Sequence, residues 1–264
     1  MTSISCIIVS YNNGEFIKQA IKSVIDQTIP IDEIIVADDG STDDSREIIS
    51  SLASQYSQIR PIYRRNNLGV AANRDLAIKA ANGDLVTTLD GDDFYFPQKI
   101  EQEFSAMQKS STSVAYSDIV LVNNQQETIR NIDTSEFCVL NQKQRLQWLT
   151  NRLGPIPRDM LLSKKLYLET DGMNHQIPVY EDWDLKIRLA AYPFKWAYSG
   201  VEGTAYRRTG LGLSAIHSRK HVKGQCQVLW SNRKLIKKYV GQWSFFEALA
   251  RVLYRNKRGL IGIN

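Results

Sequence analysis

The sequence predicts an α/β fold in which a mostly parallel central sheet is flanked by helices. Within the first hundred residues, short apolar runs alternate regularly with segments whose apolar residues recur at a helical spacing. The apolar runs end on polar or charged residues, and no repeat or low-complexity linker interrupts the pattern. A chain that alternates strand and helix in this way favours parallel strands joined by right-handed crossovers.

The individual elements follow from the same patterns. The apolar runs predict four strands in the first half, at residues 4–10, 33–38, 59–63 and 84–90. The helical spacings predict four helices there, at residues 15–27, 41–56, 70–81 and 97–109, the second of them capped by Ser41. The less regular second half predicts a hairpin at 114–122 and 128–132, helices at 142–151 and 180–191, an extended stretch at 194–206, and basic helices from 218.

Charge is distributed unevenly along the chain. Residues 218–264 contain 11 Lys and Arg and one acid, Glu247, so that subtraction from the chain totals of 33 and 28 leaves 22 basic and 27 acidic residues in 1–217. An acidic body argues against a nucleic-acid partner. We expect a catalytic domain at 1–217, with halves at 1–100 and 101–217, and a basic amphipathic helical extension at 218–264.

Three features of the sequence bear on its location. The three cysteines are scattered, which predicts neither a disulfide framework nor a zinc site. No run of 18 apolar residues predicts a membrane-spanning helix. The N-terminus lacks the basic region and long apolar stretch of a signal peptide. The expected location is the cytoplasm.

Acidic residues collect after the fourth predicted strand, where the chain reads Leu89-Asp90-Gly91-Asp92-Asp93. Asp90 and Asp92 can share a hard divalent cation, Mg²⁺ or Mn²⁺, with the oxygens of a diphosphate. Without a cation the two carboxylates repel each other and one pKa rises. The alternative is a solvated acidic turn in which Asp92 or Asp93 caps the following helix.

Two more candidate ligand contacts follow predicted strands. Asp38 and Asp39 come after the second strand and can accept hydrogen bonds from a ribose or a base, although Asp-Gly-Ser is also ordinary turn and capping chemistry. Tyr11 comes after the first strand and can stack on a base, although a tyrosine there more often packs against protein. Parallel α/β sheets bind ligands at the carboxyl ends of their strands, so these residues are expected to share one edge.

A third acidic group opens the helix predicted at 180–191. Glu181 and Asp184 fall in its first turn, where negative charge interacts favourably with the helix dipole. The apolar and aromatic neighbours can instead hold Asp182 as a partly desolvated general base. The residues alone leave both interpretations open.

Together these segments resemble the family 2 glycosyltransferases of the GT-A fold. The resemblance covers about residues 3–215 and depends on the order and spacing of several short motifs. The motifs include Val9-Ser10-Tyr11-Asn12, Asp38-Asp39-Gly40-Ser41-Thr42-Asp43, Asn67-Leu68-Gly69-Val70-Ala71-Ala72-Asn73-Arg74, Leu89-Asp90-Gly91-Asp92-Asp93, Asp171-Gly172 and Glu181-Asp182-Trp183-Asp184.

The resemblance implies a role for each matching residue. The implied donor-site residues are Ser10, Tyr11, Asp38, Asp39, Arg74, Asp90, Gly91 and Asp92, with Asp90 and Asp92 also holding Mg²⁺ or Mn²⁺. Asp182 is the implied catalytic base, and Glu181 lies beside the acceptor. The implied reaction is an inverting displacement that moves one sugar from a nucleoside diphosphate, UDP by family preference, to a hydroxyl of a glycan or lipid-linked acceptor.

The chain departs from the family pattern in three ways. Thr209 stands where the family commonly has a histidine that touches metal or diphosphate, and His217 is a candidate replacement as metal ligand. Asp75 and Ala77 replace a more usual Asn and Gly, a change that can adjust the diphosphate pocket without abolishing it. The processive QxxRW motif is absent, which favours a single addition over polymerisation.

The basic extension has two interpretations. Helical spacing at 244–258 places five apolar residues on one face, namely Phe245, Phe246, Leu249, Val252 and Leu253. Several Lys and Arg residues lie close to this face in the sequence. Such a helix can lie on the anionic inner face of a membrane, or its apolar face can pack on protein. The membrane interpretation is favoured because enzymes of this kind often use lipid-linked acceptors.

Other functions explain parts of the pattern. A strand followed by Asp-x-Asp also opens haloacid-dehalogenase-type phosphatases and phosphotransferases, but there the pair follows the first strand. A dinucleotide-dependent oxidoreductase needs GxGxxG after the first strand, where this chain has Tyr11-Asn12-Asn13-Gly14. Because of Thr209, a non-catalytic nucleotide-sugar-binding protein is the main alternative.

Overall fold

The computed structural model describes residues 2–208 and 219–257, which form one nine-stranded sheet and ten α-helices. The strands are β1 (Ile4–Ser10), β2 (Glu33–Asp38), β3 (Ile59–Tyr63), β4 (Leu85–Asp90), β5 (Phe94–Tyr95), β6 (Val114–Val122), β7 (Thr128–Ile132), β8 (Leu161–Ser163) and β9 (Ala197–Arg207). The helices are α1 (Ile17–Ile25), α2 (Ser45–Gln55), α3 (Val70–Ala80), α4 (Lys99–Lys109), α5 (Gln142–Asn151), α6 (Lys164–Glu169), α7 (Glu181–Ala190), α8 (Arg219–Ser231), α9 (Arg233–Tyr239) and α10 (Gln242–Lys257).

The first four predicted strands all form, and they pair in the parallel order β3-β2-β1-β4. Every residue of β1 and β2 is buried, which explains why both segments are continuous apolar runs instead of alternating ones. Their side chains enter two cores, since Ile7 and Ile35 pack on one side of the sheet and Ile8 and Ile34 on the other. The predicted α/β sheet flanked by helices is confirmed.

The second half of the sheet has mixed pairing. β8 runs antiparallel to both β4 and β6, and β5 runs antiparallel to β9. The predicted hairpin is confirmed as β6 and β7, and β6 also pairs with β9 in parallel. Parallel pairing is therefore concentrated in the four strands of the first half, where two of the strands end in acidic motifs.

One predicted helix start is wrong. The second helix begins at Ser45, and Asp44 occupies the N-cap position without a side-chain hydrogen bond to the helix. The Ser41 hydroxyl instead donates to Asp38, and so does the Ser41 backbone N–H at 3.1 Å. Asp and Ser side chains readily bond to nearby backbone groups, so the turn after β2 uses the serine that the helix was expected to use.

The extension, described at residues 219–257, forms three helices that pack on the body of the protein. Its inward-facing apolar residues share a core with Ile7 of the sheet, and they are Val228, Leu229, Ile236, Val240, Phe245, Ala248 and Val252. The apolar face predicted for the last helix is divided, because Phe246 and Leu253 remain about half exposed. Among the described residues, no helix has the length and apolar character needed to cross a bilayer.

Candidate functional site

The strand-end acids meet at one edge of the sheet. Ser10 of β1 lies opposite Asp38 of β2, and Val9 lies opposite Asp90 of β4. Neighbouring strands are about 4.8 Å apart, so Asp38 and Asp90 are separated by roughly two strand spacings across β1. The edge lies at the carboxyl ends of parallel strands, where open α/β sheets bind ligands.

Asp38 and Asp39 are both buried and both bind groups of the protein. Asp38 accepts hydrogen bonds from Ser41 and forms an ion pair with Arg46, whose Nε lies 2.6 Å from Oδ1. Asp39 accepts the backbone N–H groups of Leu68 and Gly69, each at 2.9 Å. The two carboxylates therefore fix the turn after β2 and the loop before α3.

Ser10 and Tyr11 remain available at this edge. The Ser10 hydroxyl is buried and has no hydrogen-bond partner among the described residues. Tyr11 is 49% exposed, so about half of its surface is accessible to a ligand. A buried hydroxyl without a partner and an exposed aromatic ring are both suited to contact a ligand.

Arg74 connects the strand-end acids to the first turn of α7. It extends from α3, is only 6% exposed, and donates to Asp90 through Nη2 and to Glu181 Oε1 through Nη1, the latter at 2.7 Å. Burial alone lowers the pKa of Arg74, but the charges of Asp90 and Glu181 outweigh it and raise that pKa. One guanidinium group thus joins the two acidic motifs into a single site.

The acidic turn, Asp90-Gly91-Asp92-Asp93, is compact. A side chain at Gly91 is excluded, since its Cβ would lie 2.9 Å from the Val9 carbonyl oxygen. Asp93 is buried and accepts the Arg207 backbone N–H at 2.7 Å. No side chain caps α4, so the helix-capping alternative for Asp92 and Asp93 is wrong.

Asp92 carries the pKa shift expected of crowded carboxylates. Burial and the neighbouring charge of Asp90 raise the pKa of Asp92 to about 6. Within residues 2–208 and 219–257, no other side chain donates a hydrogen bond to its carboxylate. Asp92 is therefore the member of the acidic turn that is free to bind a cation.

An arginine that sequence reasoning missed lies on the acidic turn. Arg158, in the loop before β8, places Nη2 3.2 Å from Asp90 Oδ2 and 3.2 Å from Asp93 Oδ2. Its guanidinium carbon lies 3.9 Å from the centre of the Tyr206 ring. The loop at 152–160 has no periodicity or motif, so the sequence offered no signal for this placement.

The acids of α7 have distinct environments. Glu181 is buried, and burial together with the Asp182 charge raises its pKa to about 7, although Arg74 opposes the shift. The Asp182 side chain is 45% exposed, and its Oδ2 accepts a hydrogen bond from Lys186 Nζ at 2.7 Å. Partial burial tends to raise the pKa of Asp182, but the Lys186 ammonium lowers it below its usual value. Desolvation therefore raises the pKa of Glu181, whereas Asp182 stays ionised.

The extension holds the start of α7. Tyr180, the N-cap residue, has a left-handed backbone with φ of 74°. Its hydroxyl lies 3.0 Å from His221 Nδ1 and 3.0 Å from Gln225 Nε2, both on α8. Asn232 Nδ2 donates to Asp184 Oδ1 at 2.6 Å. Part of the extension therefore supports the turn that carries Glu181 and Asp182.

The Asp75 and Ala77 departures have structural explanations. Asp75 is buried and accepts hydrogen bonds from the Tyr167 hydroxyl at 2.6 Å and the Met173 backbone N–H at 3.2 Å, and it lies 2.8 Å from His175 Nε2. Ala77 lies in the core. Asp75 thus anchors the loop after α6, while Thr209 and His217 lie outside the described residues.

Asp92 is the residue of the acidic turn that would hold a divalent cation. In the described part of the chain, no three His, Cys, Asp or Glu residues are arranged to hold a metal ion. Asp90 is occupied by Arg74 and Arg158, which leaves Asp92 as the available carboxylate. Hard divalent cations also accept phosphate oxygens, so Asp92 together with a diphosphate suits Mg²⁺ or Mn²⁺.

Comparisons with known proteins identify related sequences. The family model described as glycosyl transferase family 2 matches residues 5–170. The chain is 29% identical over 185 residues to glycosyltransferase GlyG of Streptococcus pneumoniae, covering 65% of this chain and 60% of that protein. It is 33% identical over 118 residues to cholesterol galactosyltransferase of Borreliella burgdorferi, covering 45% of this chain and 33% of that protein. The chain thus spans 60% and 33% of the length of these two curated relatives, less than two thirds in both cases.

Solved structures share the fold. The chain matches S. aureus TarS 1–349 in complex with UDP-GlcNAc with a TM-score of 0.77 and 18% identity, covering 97% of this chain and 73% of that chain. At this level of identity the likeness concerns the fold. It confirms the GT-A architecture expected from the motifs, including helices that follow β9.

Proposed function

The chain belongs to glycosyl transferase family 2, and from this premise we propose that it transfers one sugar, with inversion, from a UDP-linked donor to an acceptor hydroxyl. The observation that carries the proposal is the Arg74 guanidinium, which bonds to Asp90 of the acidic turn and to Glu181 of α7. It brings the proposed donor-binding acids and the proposed base into one site. Group transfer from a diphosphate requires groups that stabilise the leaving diphosphate on one side of the reacting carbon and a base for the acceptor hydroxyl on the other.

The nucleoside is proposed to bind at the ends of β1 and β2. Tyr11 would stack on the base, and the unpartnered Ser10 hydroxyl would bond to the ligand. Asp39 accepts one backbone N–H at each oxygen and so retains lone pairs for a base or ribose. Asp38 would act through position, since Ser41 and Arg46 already occupy its oxygens. The UDP-GlcNAc complex of TarS supports a uridine nucleotide.

The diphosphate is proposed to bind over the acidic turn. A divalent ion held by Asp92, with Asp90 beside it, would neutralise charge on the leaving diphosphate. Arg74 and Arg158 hold Asp90 in position for that role. Gly91 would serve the site by letting the turn pack against the end of β1, since a Cβ there would lie 2.9 Å from the Val9 carbonyl oxygen.

Asp182 is proposed to act as the general base. It is half exposed and ionised, so it can accept the proton of an acceptor hydroxyl as that oxygen attacks the anomeric carbon. General-base assistance typically contributes about 10²–10⁴ in rate. Glu181 is buried on Arg74 and would orient this turn beside the acceptor.

Replacement of Asp182 tests the proposal. Asp182→Asn removes the proton acceptor while preserving shape, so release of UDP from a panel of UDP-sugars should fall at least about 100-fold. UDP binding, measured by calorimetry, should persist. Asp84→Asn serves as the control, because Asp84 is exposed at the opposite end of β4. Unchanged turnover in Asp182→Asn would remove Asp182 from this role, and UDP binding without turnover in the unaltered chain would favour a non-catalytic binding protein.

The extension is proposed to dock on an anionic membrane on the cytoplasmic side, near a lipid-linked acceptor. Trp230, Trp243 and Phe246 are exposed, and they form one row of rings with the buried Phe245 at centroid distances of 5.4–6.2 Å. Lys237 lies 5.8 Å from the Phe246 ring. Aromatic rings beside cations suit the headgroup region of anionic bilayers. The relative named cholesterol galactosyltransferase supports a lipid acceptor.

Point substitution tests the docking better than truncation, because α8 also holds Tyr180. Trp243→Ser should reduce flotation with anionic vesicles, since Trp243 is 77% exposed and contributes its full ring area. Val139→Ser is the control, because Val139 is equally exposed at 77%. The docking would be contradicted if Trp243→Ser and Val139→Ser floated equally with anionic vesicles. It would also be contradicted if the unaltered chain bound zwitterionic vesicles as well as anionic ones.

A further inference from the structure

Arg158 is positioned on the acidic turn by long-range contacts. Its Nη2 group lies 3.2 Å from both Asp90 Oδ2 and Asp93 Oδ2, and its guanidinium stacks on Tyr206. The side chain remains 22% exposed. The sequence motifs of the family resemblance do not include this residue.

The backbone beside Arg158 is held rigidly. The Asp159 carbonyl oxygen accepts hydrogen bonds from Lys99 Nζ at 2.6 Å and from Thr87 Oγ1 at 3.1 Å. Lys99 is fully buried, and its ammonium lies 4.5 Å from the centre of the Tyr95 ring. Asp159 has φ of 45°, a left-handed conformation that is uncommon for a residue with a side chain. Such a conformation persists where surrounding contacts determine it and is common at functional sites.

The two arginines of the site differ in their free donors. Arg74 uses Nη1 on Glu181 and Nη2 on Asp90, and its remaining Nε is buried. Arg158 contacts the acidic turn only through Nη2, its Nε lies 3.7 Å from Asp159 Oδ2, and within the described residues its Nη1 has no hydrogen-bond partner. A guanidinium can bind a carboxylate and a phosphate at once because its donors diverge in one plane. Arg158 is therefore better placed than Arg74 to meet a phosphate oxygen.

We propose that Arg158 binds the donor diphosphate while it stays paired with the acidic turn, and that it gives the site nucleotide affinity without a divalent ion. The inference rests on the proposed function, in that it takes the acidic turn as the diphosphate site. Arg74 differs from Arg158 in this respect, because it is committed to Asp90 and Glu181. Arg74 then positions acids, and Arg158 contacts substrate.

Calorimetric titration in EDTA tests the proposal. UDP and uridine are titrated into the unaltered chain, Arg158→Gln, Arg158→Lys and the control Arg60→Gln, which removes a guanidinium paired with Glu33 away from the site. Arg158→Gln should bind UDP roughly tenfold to a hundredfold more weakly, the loss typical of a charged hydrogen bond. Uridine lacks the diphosphate, so its affinity should not change. Arg158→Lys keeps the charge without the fork and should lose less, and it replaces Arg158→Gln if that variant does not fold.

Three results would overturn the inference. These are UDP binding by Arg158→Gln as tight as that of the unaltered chain, a parallel loss of uridine binding, or UDP binding by the unaltered chain that requires Mn²⁺. A parallel loss would show that Arg158 only supports the fold of the pocket. An unaltered chain that binds no nucleoside diphosphate, with or without Mn²⁺, would instead remove the proposed donor, and this inference with it.

Discussion

The acidic turn and the first turn of α7 belong to one site, but their charges are neutralised in different ways. Asp90 and Asp93 pair with Arg74 and Arg158, which come from α3 and from the loop before β8. Asp182 pairs with Lys186 one helical turn away, a contact that the helix itself provides. The acidic turn therefore depends on tertiary structure, whereas α7 supplies its own cation.

This difference decides how each acid responds to burial. The local ammonium keeps Asp182 ionised, as a base at physiological pH must be. Asp92 has no such partner in the part of the chain that the structure describes, and burial beside Asp90 raises its pKa to about 6. Glu181 shares Arg74 with Asp90, and burial still raises its pKa to about 7. Arg74, which pairs with both turns, is therefore the residue whose loss should affect the site most.

Removal of Arg74 should break the arrangement and have the largest effect on stability. Arg74→Gln leaves Asp90 and the buried Glu181 without their common cation, and loss of one partner of a buried pair costs about 3–5 kcal/mol. The free energy of unfolding, measured in urea, should fall by about that amount. Arg60→Gln removes an ion pair whose arginine is 42% exposed, so its cost should stay below about 1 kcal/mol. Equal losses in the two variants would show that the bridge does not stabilise the site.

Glu181 should give stability a pH dependence of opposite sign to that of an ordinary paired acid. Its folded pKa of about 7 lies above the ordinary value of 4.5, so the native state binds the extra proton and stability falls as pH rises from about 4.5 to about 7. Glu181→Gln should remove this slope. Relative to the unaltered chain, the variant should gain stability across that window, by at most about 3 kcal/mol.

Urea unfolding at pH 5 and pH 8 measures this difference. Asp171→Asn, at an exposed residue before Met173, is a control for loss of a carboxylate alone. A difference between Glu181→Gln and the unaltered chain that is the same at both pH values would mean that Glu181 is ionised throughout and fully matched by Arg74.

The sequence predicts the acids of the site well, because their placement is local. Asp90 ends an apolar strand and Asp182 opens an amphipathic helix, and both features follow from residues within one element. Parallel pairing then brings the strand ends together, as the register of Ser10 with Asp38 shows. The order of strands and helices in the first hundred residues was predictable for the same reason.

The partners of those acids were not predictable, since they come from distant segments. Arg158 reaches the acidic turn because Lys99 and Thr87 hold the next carbonyl group, a contact that spans about 60 and 70 residues. Asp39 is another example, because it accepts two backbone N–H groups of the loop before α3. The periodicity of apolar residues along the sequence carries no information about such long-range contacts. The donors that fix each acid are visible only in three dimensions.

Removal of Lys186 tests the difference between the two turns directly. Its effect on the free energy of unfolding should be smaller than those of Arg74→Gln and Glu181→Gln. Lys186→Gln deletes the local cation, so the pKa of Asp182 should rise toward or above its usual value. The transfer rate should then fall at acidic pH, where the unaltered chain keeps Asp182 ionised. Lys79→Gln is a matched control, because Lys79 also pairs with an acid one helical turn away, Asp75, at 2.8 Å. If both variants keep the pH–rate profile of the unaltered chain, Lys186 does not set the ionisation of Asp182, and the two turns do not differ in the way their pairing indicates.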